Sequence, residues 1–232
     1  MKKAVFVLIV CFTFTSNIAS SQSMGLSFSY FIPKDGYFST PISPFSIRGI
    51  GLDFTDFISL ETGASLYRMS GMRIKDVPFE SPEPFAGPFF SIYVPLQLKF
   101  NLYFSNQSLH FKGGGFGFYN FDTKLMDGNI DRALRDHLDW ALVNSDFKVD
   151  NNLGVGWMAG AEYIIYLTDQ FGINLEANYL AGDTKANLQG TYTGLPTDGS
   201  NIVTEEVIFP ESAIDFTGWE FSVGLLFETG RR

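Results

Sequence analysis

Six charged residues stand in a pattern of apolar and small residues that gives them no obvious solvent: Glu61, Lys99, Lys112, Glu162, Glu176 and Glu220. Carboxylates and ammonium groups so placed can act as acid–base pairs, as an ion gate, or as a buried salt-bridge lattice. Two histidines are the other candidates. His137 has Asp136, Asp139 and Ser145 close by in sequence, which superficially suggests a hydrolase working at a surface. Adjacent positions do not converge on one substrate atom, however, and no strained nucleophile elbow is present. No metal-ligand spacing, phosphate-cradling loop or internal repeat appears. Catalysis, a cofactor and a metal centre are therefore not expected.

The elements that carry these charges alternate with period two, the mark of a sheet with two unlike faces. Eight runs emerge. Leu26, Phe28, Tyr30 and Ile32 open the series, followed by Ile50, Leu52 and Phe54, then by Ile58, Leu60, Thr62, Ala64 and Leu66. The fourth is the cleanest, Ile92 to Leu102 against Tyr93, Pro95, Gln97, Lys99 and Asn101. The fifth, Leu109 to Asn120, passes through Gly113-Gly114-Gly115, where the glycines predict a bulge that re-aims Phe116 and Phe118. The last three are Val155 to Ile165, Ile173 to Tyr179 and Trp219 to Phe227. Each approaches the ~9–11 residues that a tilted strand needs to cross a bilayer.

Connections between the runs are short and long in turn. Thr55-Asp56, the residues around Ser105-Asn106, and Thr168-Asp169-Gln170 are turns. Pro33–Pro44, Ser70–Pro88, Phe121–Asn152 and Thr184–Ala213 are long loops. Short turns facing the periplasm and long loops facing outside are the habit of outer-membrane barrels. Aromatic residues gather near both ends of the runs, as interfacial girdles would: Phe54, Phe57, Tyr103, Phe104, Tyr166, Phe171 and Phe227 by the turns, and Phe31, Phe45, Tyr67, Phe89, Phe90, Tyr119 and Trp219 by the loops. A soluble barrel would reverse the faces, and the polar face here lacks the Lys/Glu/Thr density of a solvated sheet.

Composition agrees. The chain has 25 Phe and 23 Gly in 232 residues, yet no apolar stretch outside its start is long enough for a helical span. The start reads as a signal peptide: Lys2 and Lys3, the apolar run Ala4–Phe14, then Ala19 and Ser21 before a cut after Ser21. Residues 22–232 would then be one barrel domain. Cys11 lies inside the apolar run behind Val10, so lipidation is not expected, and the remaining chain has no cysteine for a disulfide. Its net charge of −9 becomes −11 once Lys2 and Lys3 are removed, which argues against nucleic acid as a partner.

The six charges sit four to seven residues above the short turns, one layer roughly 10–18 Å up the bore at ~3.3 Å per residue and ~40° tilt. Glu61 and Lys99 fall on neighbouring strands, as do Lys112 and Glu162, so both pairs should be in contact. Glu176 and Glu220 are neighbours without an assigned cation, so protonation of one of the two is open. His110 faces the bore as an ordinary hydrogen bonder. In the third loop Ile130, Ala133, Leu134, His137, Leu138 and Ala141 have helical spacing, with Asn129 as cap and Asp131–Arg135 and Arg135–Asp139 as flanking pairs.

The segments SIYVPLQLKFNLYF (91–104), KGGGFGFY (112–119) and GWEFSVGLLF (218–227) resemble the outer-membrane β-barrel family common in Bacteroidota, through strand texture over essentially the whole exported chain. The resemblance implies an OmpA/OmpX-like, eight-stranded antiparallel up-and-down transmembrane β-barrel, inserted by the barrel-assembly machinery. Barrels of this kind usually end on the last aromatic, whereas Glu228 to Arg232 follow Phe227 here. The expected role is structural or surface-interacting, with the bore closed by the network of six charges, and with outer-membrane lipid and an extracellular ligand of the loops as partners. A narrow channel or a hydrophobic-ligand conduit opening beside the glycine-rich fifth run is the alternative, and a surface hydrolase the third.

Overall fold

In the computed structural model, residues 23–37, 40–199 and 201–228 are described, so the predicted signal peptide, Cys11 and the last four residues lie outside them. Eight long antiparallel strands close into a ring: β1 (Ser23–Pro33), β3 (Thr40–Asp53), β4 (Ile58–Met69), β7 (Phe89–Tyr103), β8 (Gln107–Phe121), β10 (Leu153–Thr168), β11 (Phe171–Lys185) and β15 (Gly218–Glu228). Each pairs with the next, and β15 returns to β1 in unbroken register from Ser23 opposite Glu228 to Pro33 opposite Gly218. The alternation explains the closure. Leu26, Phe28, Leu96, Leu98, Val223 and Leu225 point outward and are exposed, while Ser27, Ser29, Gln97, Asn101 and Ser222 point inward and are buried. A sheet with an apolar outside and a polar inside is stable only with lipid around it, and closure leaves no unpaired edge within the bilayer. This is an eight-stranded transmembrane β-barrel.

At about 3.3 Å per residue, a 15-residue strand such as β7 tilted ~40° rises ~38 Å, beyond an apolar band ~25 Å tall. The four longest strands therefore project past the membrane on the long-loop side. Small strands there brace the rim: β2 (Gly36–Tyr37) pairs β5 (Gly71–Met72), and β6 (Ile74–Lys75) pairs β14 (Ala213–Asp215), which extends from β11. A separate three-stranded sheet is built by β9 (Trp140–Lys148), β12 (Leu188–Pro196) and β13 (Val203–Phe209). All three lie in segments expected as loop, because Asn, Ser and Asp in β9, Thr and Gly in β12, and Thr and Glu in β13 interrupt the apolar alternation.

The third-loop helix is present as α1 (Asp127–Leu138), burying Ile130, Ala133 and Leu134 against β9. Its flanks differ from expectation. Met126 occupies the cap position, and Asn129 instead donates to the Pro84 carbonyl at 2.7 Å. Arg135 pairs with Asp136 at 3.2 Å rather than with Asp131 or Asp139. Asp131 is taken up by Ser145, accepting from both its amide and its hydroxyl.

Two register features also depart from the sequence reading. No bulge occurs at Gly113-Gly114-Gly115: β8 pairs residue for residue with β7 and with β10 throughout that stretch. Phe116 and Phe118 reach the interior by plain parity, and their rings occupy the space that a Cβ on Gly156 or Gly154 would need. The glycines thus make room for rings. A real irregularity lies in β3, where three steps from Ile47 to Ile50 oppose two from Ala64 to Thr62, with Gly49 at φ 78°. That extra residue lets both Arg48 and Gly51 stay on the inner side while Ile47 and Ile50 face out.

Candidate functional site

The bore is filled in three levels. Nearest the short turns, Ile164, Tyr166 and Leu226 form a small apolar cluster, with Tyr166 bonded to Ser108 and Asn101 to Ser59. Tyr166 is thus inside the barrel and not in an outer girdle.

Above it lies the charge layer, to which every one of the six predicted residues contributes. Lys99 Nζ is 2.9 Å from Glu61 Oε2, and Lys112 Nζ is 2.9 Å from Glu162 Oε2. Lys112 is also 3.1 Å from Glu61 and 3.2 Å from Glu176, so one ammonium serves three carboxylates. Gln97 donates to Glu61, and Asn174 to Glu162. His110 places Nδ1 3.4 Å from Glu162 Oε2, with its ring edge-on to Tyr103.

The missing cation for Glu176 and Glu220 is Arg48. It is fully buried, its Nη2 2.5 Å from Glu220 Oε1 and its Nη1 4.0 Å from Glu176 Oε1. Tyr67 donates to the same Glu220 oxygen, and Asn178 bridges Glu176 and Glu220 at 2.8 and 2.7 Å. Sequence reasoning missed Arg48 because strict alternation back from Ile50 puts it on the lipid face. Gly49 was the available signal, since a glycine beside an intramembrane arginine marks a place where parity can change.

The third level is aromatic. Phe216, from the segment between β14 and β15, stacks on Phe118 at 4.4 Å and on Phe31 at 4.6 Å, with Phe116 at 6.0 Å. Its amide is tied to the Gly182 carbonyl at 2.8 Å. Tyr67, Tyr93, Met69, Phe89 and Met158 complete this level. Phe31, Tyr67 and Phe89, read from sequence as girdle residues, are therefore core. Tyr119 and Trp219 do face outward, and the Phe45 side chain lies outside the described residues. The plug continues without a break into the outer cap through Phe79, Phe85, Ile130, Leu134, Val143, Phe147 and Leu188.

Within the cap, burial and then the hydrogen bond to Glu205 push the Tyr192 phenol up to about 12. Partial burial, with Asp131 and Asp146 nearby, raises the Asp127 carboxyl. His137 is exposed on α1, and Ser145 is held by Asp131, so the serine and histidine of the superficial hydrolase set are not brought together. Among the described residues no group of three or more His, Cys, Asp or Glu could hold a metal ion.

The fold has a counterpart among solved structures. The outer membrane protein OprG from Pseudomonas aeruginosa superposes with a TM-score of 0.55 at 14% identity, over 92% of this chain and 97% of that one. The chain has the fold of an outer-membrane β-barrel. A major outer membrane protein from Thermus thermophilus aligns at 0.45 and 9% identity, over 89% of this chain and 99% of that one. The outer membrane protein AlkL, solved in DMPC bilayers, aligns at 0.41 and 11%, over 90% of each chain. No protein-family model matches, and no curated protein is detectably similar in sequence.

Proposed function

We propose that this chain is an integral outer-membrane protein whose barrel is a closed anchor, and that its work is done by the ordered cap outside the cell. The observation that carries the proposal is the continuous filling of the bore, from Ile164 and Tyr166 through the charge layer to Phe216 and on into the cap. An eight-stranded barrel has an interior only about as wide as its side chains, so a bore with this content leaves no general aqueous path. The outward apolar belt and the turn–loop asymmetry support the outer membrane as its location, with residues 1–21 as the export signal. The proposal includes membership of the OmpA/OmpX-like small barrels of Bacteroidota, supported by the strand texture of residues 91–104 and 218–227. Its partners are outer-membrane lipid, the assembly machinery during insertion, and an external ligand or surface met by α1 and the β9–β12–β13 sheet. Catalysis has no part in it.

The complete pairing of β8 with both neighbours argues against a lateral conduit beside its glycines. Planar-bilayer recordings of the refolded full-length barrel test the reading. No steady conductance is expected, and tags near Asp146 or Asp198 should be labelled on intact cells while tags at Ser105–Gln107 stay hidden. Stable large-conductance channels from the unmodified protein would overturn the closed anchor in favour of a channel.

A further inference from the structure

The charge layer does not balance. Among the described residues it holds four buried carboxylates, Glu61, Glu162, Glu176 and Glu220, against three fixed cations, Arg48, Lys99 and Lys112. An uncompensated charge enclosed between two apolar levels is strongly disfavoured, so one more positive charge belongs there.

The deficit has an address. Glu61 has Lys99 and Lys112, Glu162 has Lys112 at the shortest of its three contacts, and Glu220 has Arg48. Glu176 is the third claimant on Lys112 and meets Arg48 only at 4.0 Å. Among the described residues its Oε2 has no hydrogen-bond donor, and neither has Oδ1 of Asn178, two residues on along the same inward row of β11. Both side chains are fully buried. The Asn178 orientation is fixed, because its Nδ2 already donates to two carboxylates. Its Oδ1 lies over Gly160, where a Cβ would collide with it, so the missing side chain leaves the room that this oxygen occupies.

Unanswered oxygens beside one surplus negative charge are the chemistry of a hard, singly charged cation, since hard cations take oxygen ligands. A divalent ion would leave the layer positive instead. We propose that Glu176 Oε2 and Asn178 Oδ1 bind one monovalent alkali cation, which neutralises the charge layer, with water completing its coordination. The inference goes beyond the anchor reading and rests only on the bore being enclosed at this level. His110 is the competing carrier of positive charge. Its Nδ1 faces Glu162, which Lys112 already serves, with Lys99 also in the layer, so an imidazolium there leaves the oxygens of Glu176 and Asn178 unanswered.

Crystals of the full-length barrel grown with thallium(I) in place of sodium test the site directly. One anomalous peak is expected inside the bore beside Glu176 and Asn178, and its absence there would overturn the proposal. In detergent at mildly alkaline pH, the unfolding midpoint should be several degrees higher in sodium or potassium chloride than in N-methyl-D-glucamine chloride of equal concentration. That difference should vanish in Glu176→Gln. Equal midpoints in all three salts, or a midpoint that follows pH and loses that dependence in His110→Gln, would mean that a proton supplies the charge and no alkali site exists. Should Glu176→Gln fail to fold, the thallium peak in the unmodified protein decides. Conductance separates the two readings: steady currents with a thallium peak sink the closed anchor alone, and a silent barrel without a peak sinks the cation site alone.

Discussion

Removing the Lys112 ammonium should be the most damaging single change in the bore. Lys112 is 3.1, 2.9 and 3.2 Å from Glu61, Glu162 and Glu176, and its side chain is fully buried. Lys112→Met keeps the bulk and deletes the charge. Glu61 retains Lys99 and Gln97, but Glu162 is left with Asn174 and with His110 at 3.4 Å, and Glu176 with Asn178 and with Arg48 at 4.0 Å, so neither keeps a close fixed cation. Breaking an enclosed pair from one side costs about 3–5 kcal/mol, because the remaining charge stays buried without a partner. Here two carboxylates are stranded, so the upper end of that range applies. Lys99→Ala is milder, since Glu61 keeps Lys112: the loss is that of one charge-assisted hydrogen bond, about 1.5–3 kcal/mol. The combination Lys112→Met, Glu162→Gln, Glu176→Gln leaves two separate pairs, Lys99–Glu61 and Arg48–Glu220, and should recover most of the loss. Urea titration in lipid micelles, followed by tryptophan fluorescence and by the heat-dependent gel shift of folded barrels, measures all three. If Lys112→Met unfolds within about 0.5 kcal/mol of the parent, the effect is that of an ordinary surface substitution and the layer is not an enclosed ionic lattice.

Three further outcomes are expected. Phe216→Ala removes the ring stacked between Phe118 and Phe31 and should cost about 3–5 kcal/mol in the same titration; a loss below that of an exposed residue would show the plug to be loosely packed. Gly49→Val forces a β-branched residue to φ 78° and should cost about 1–3 kcal/mol while displacing Arg48 from Glu220; an unchanged midpoint would contradict the bulge. The Tyr192 phenol has its folded-state value raised to about 12, so its stabilising share is fully present below the ordinary tyrosine value of ~10 and is lost as pH climbs through about 12. Near-ultraviolet circular dichroism of the cap should fade in that window, and Tyr192→Phe should remove that pH dependence.

The sequence made the wall of this barrel easy to read and its filling hard. Strand number, order and the facing of Glu61, Lys99, Lys112, Glu162, Glu176 and Glu220 follow from period-two alternation, because lipid on one side and a narrow bore on the other impose unlike chemistry on successive residues. Alternation also contained the answer for Phe31, Tyr67, Phe89 and Tyr166, which share parity with Ser29, Ser65, Ser91 and Ile164 inside the barrel. Their distance along the strand suggested a girdle, but parity decides which face a side chain takes and position decides only its height. Arg48 was hidden for the opposite reason. One inserted residue at Gly49 breaks the parity, and a single such step moves a charge from hydrocarbon to bore. Phe216 and the β9–β12–β13 sheet are contacts between segments far apart in the chain, to which no local period refers. The seal, on which the functional reading depends, is therefore a tertiary property: Phe216 becomes a plug only because β14 pairs with β11 and holds the segment before β15 over the open end.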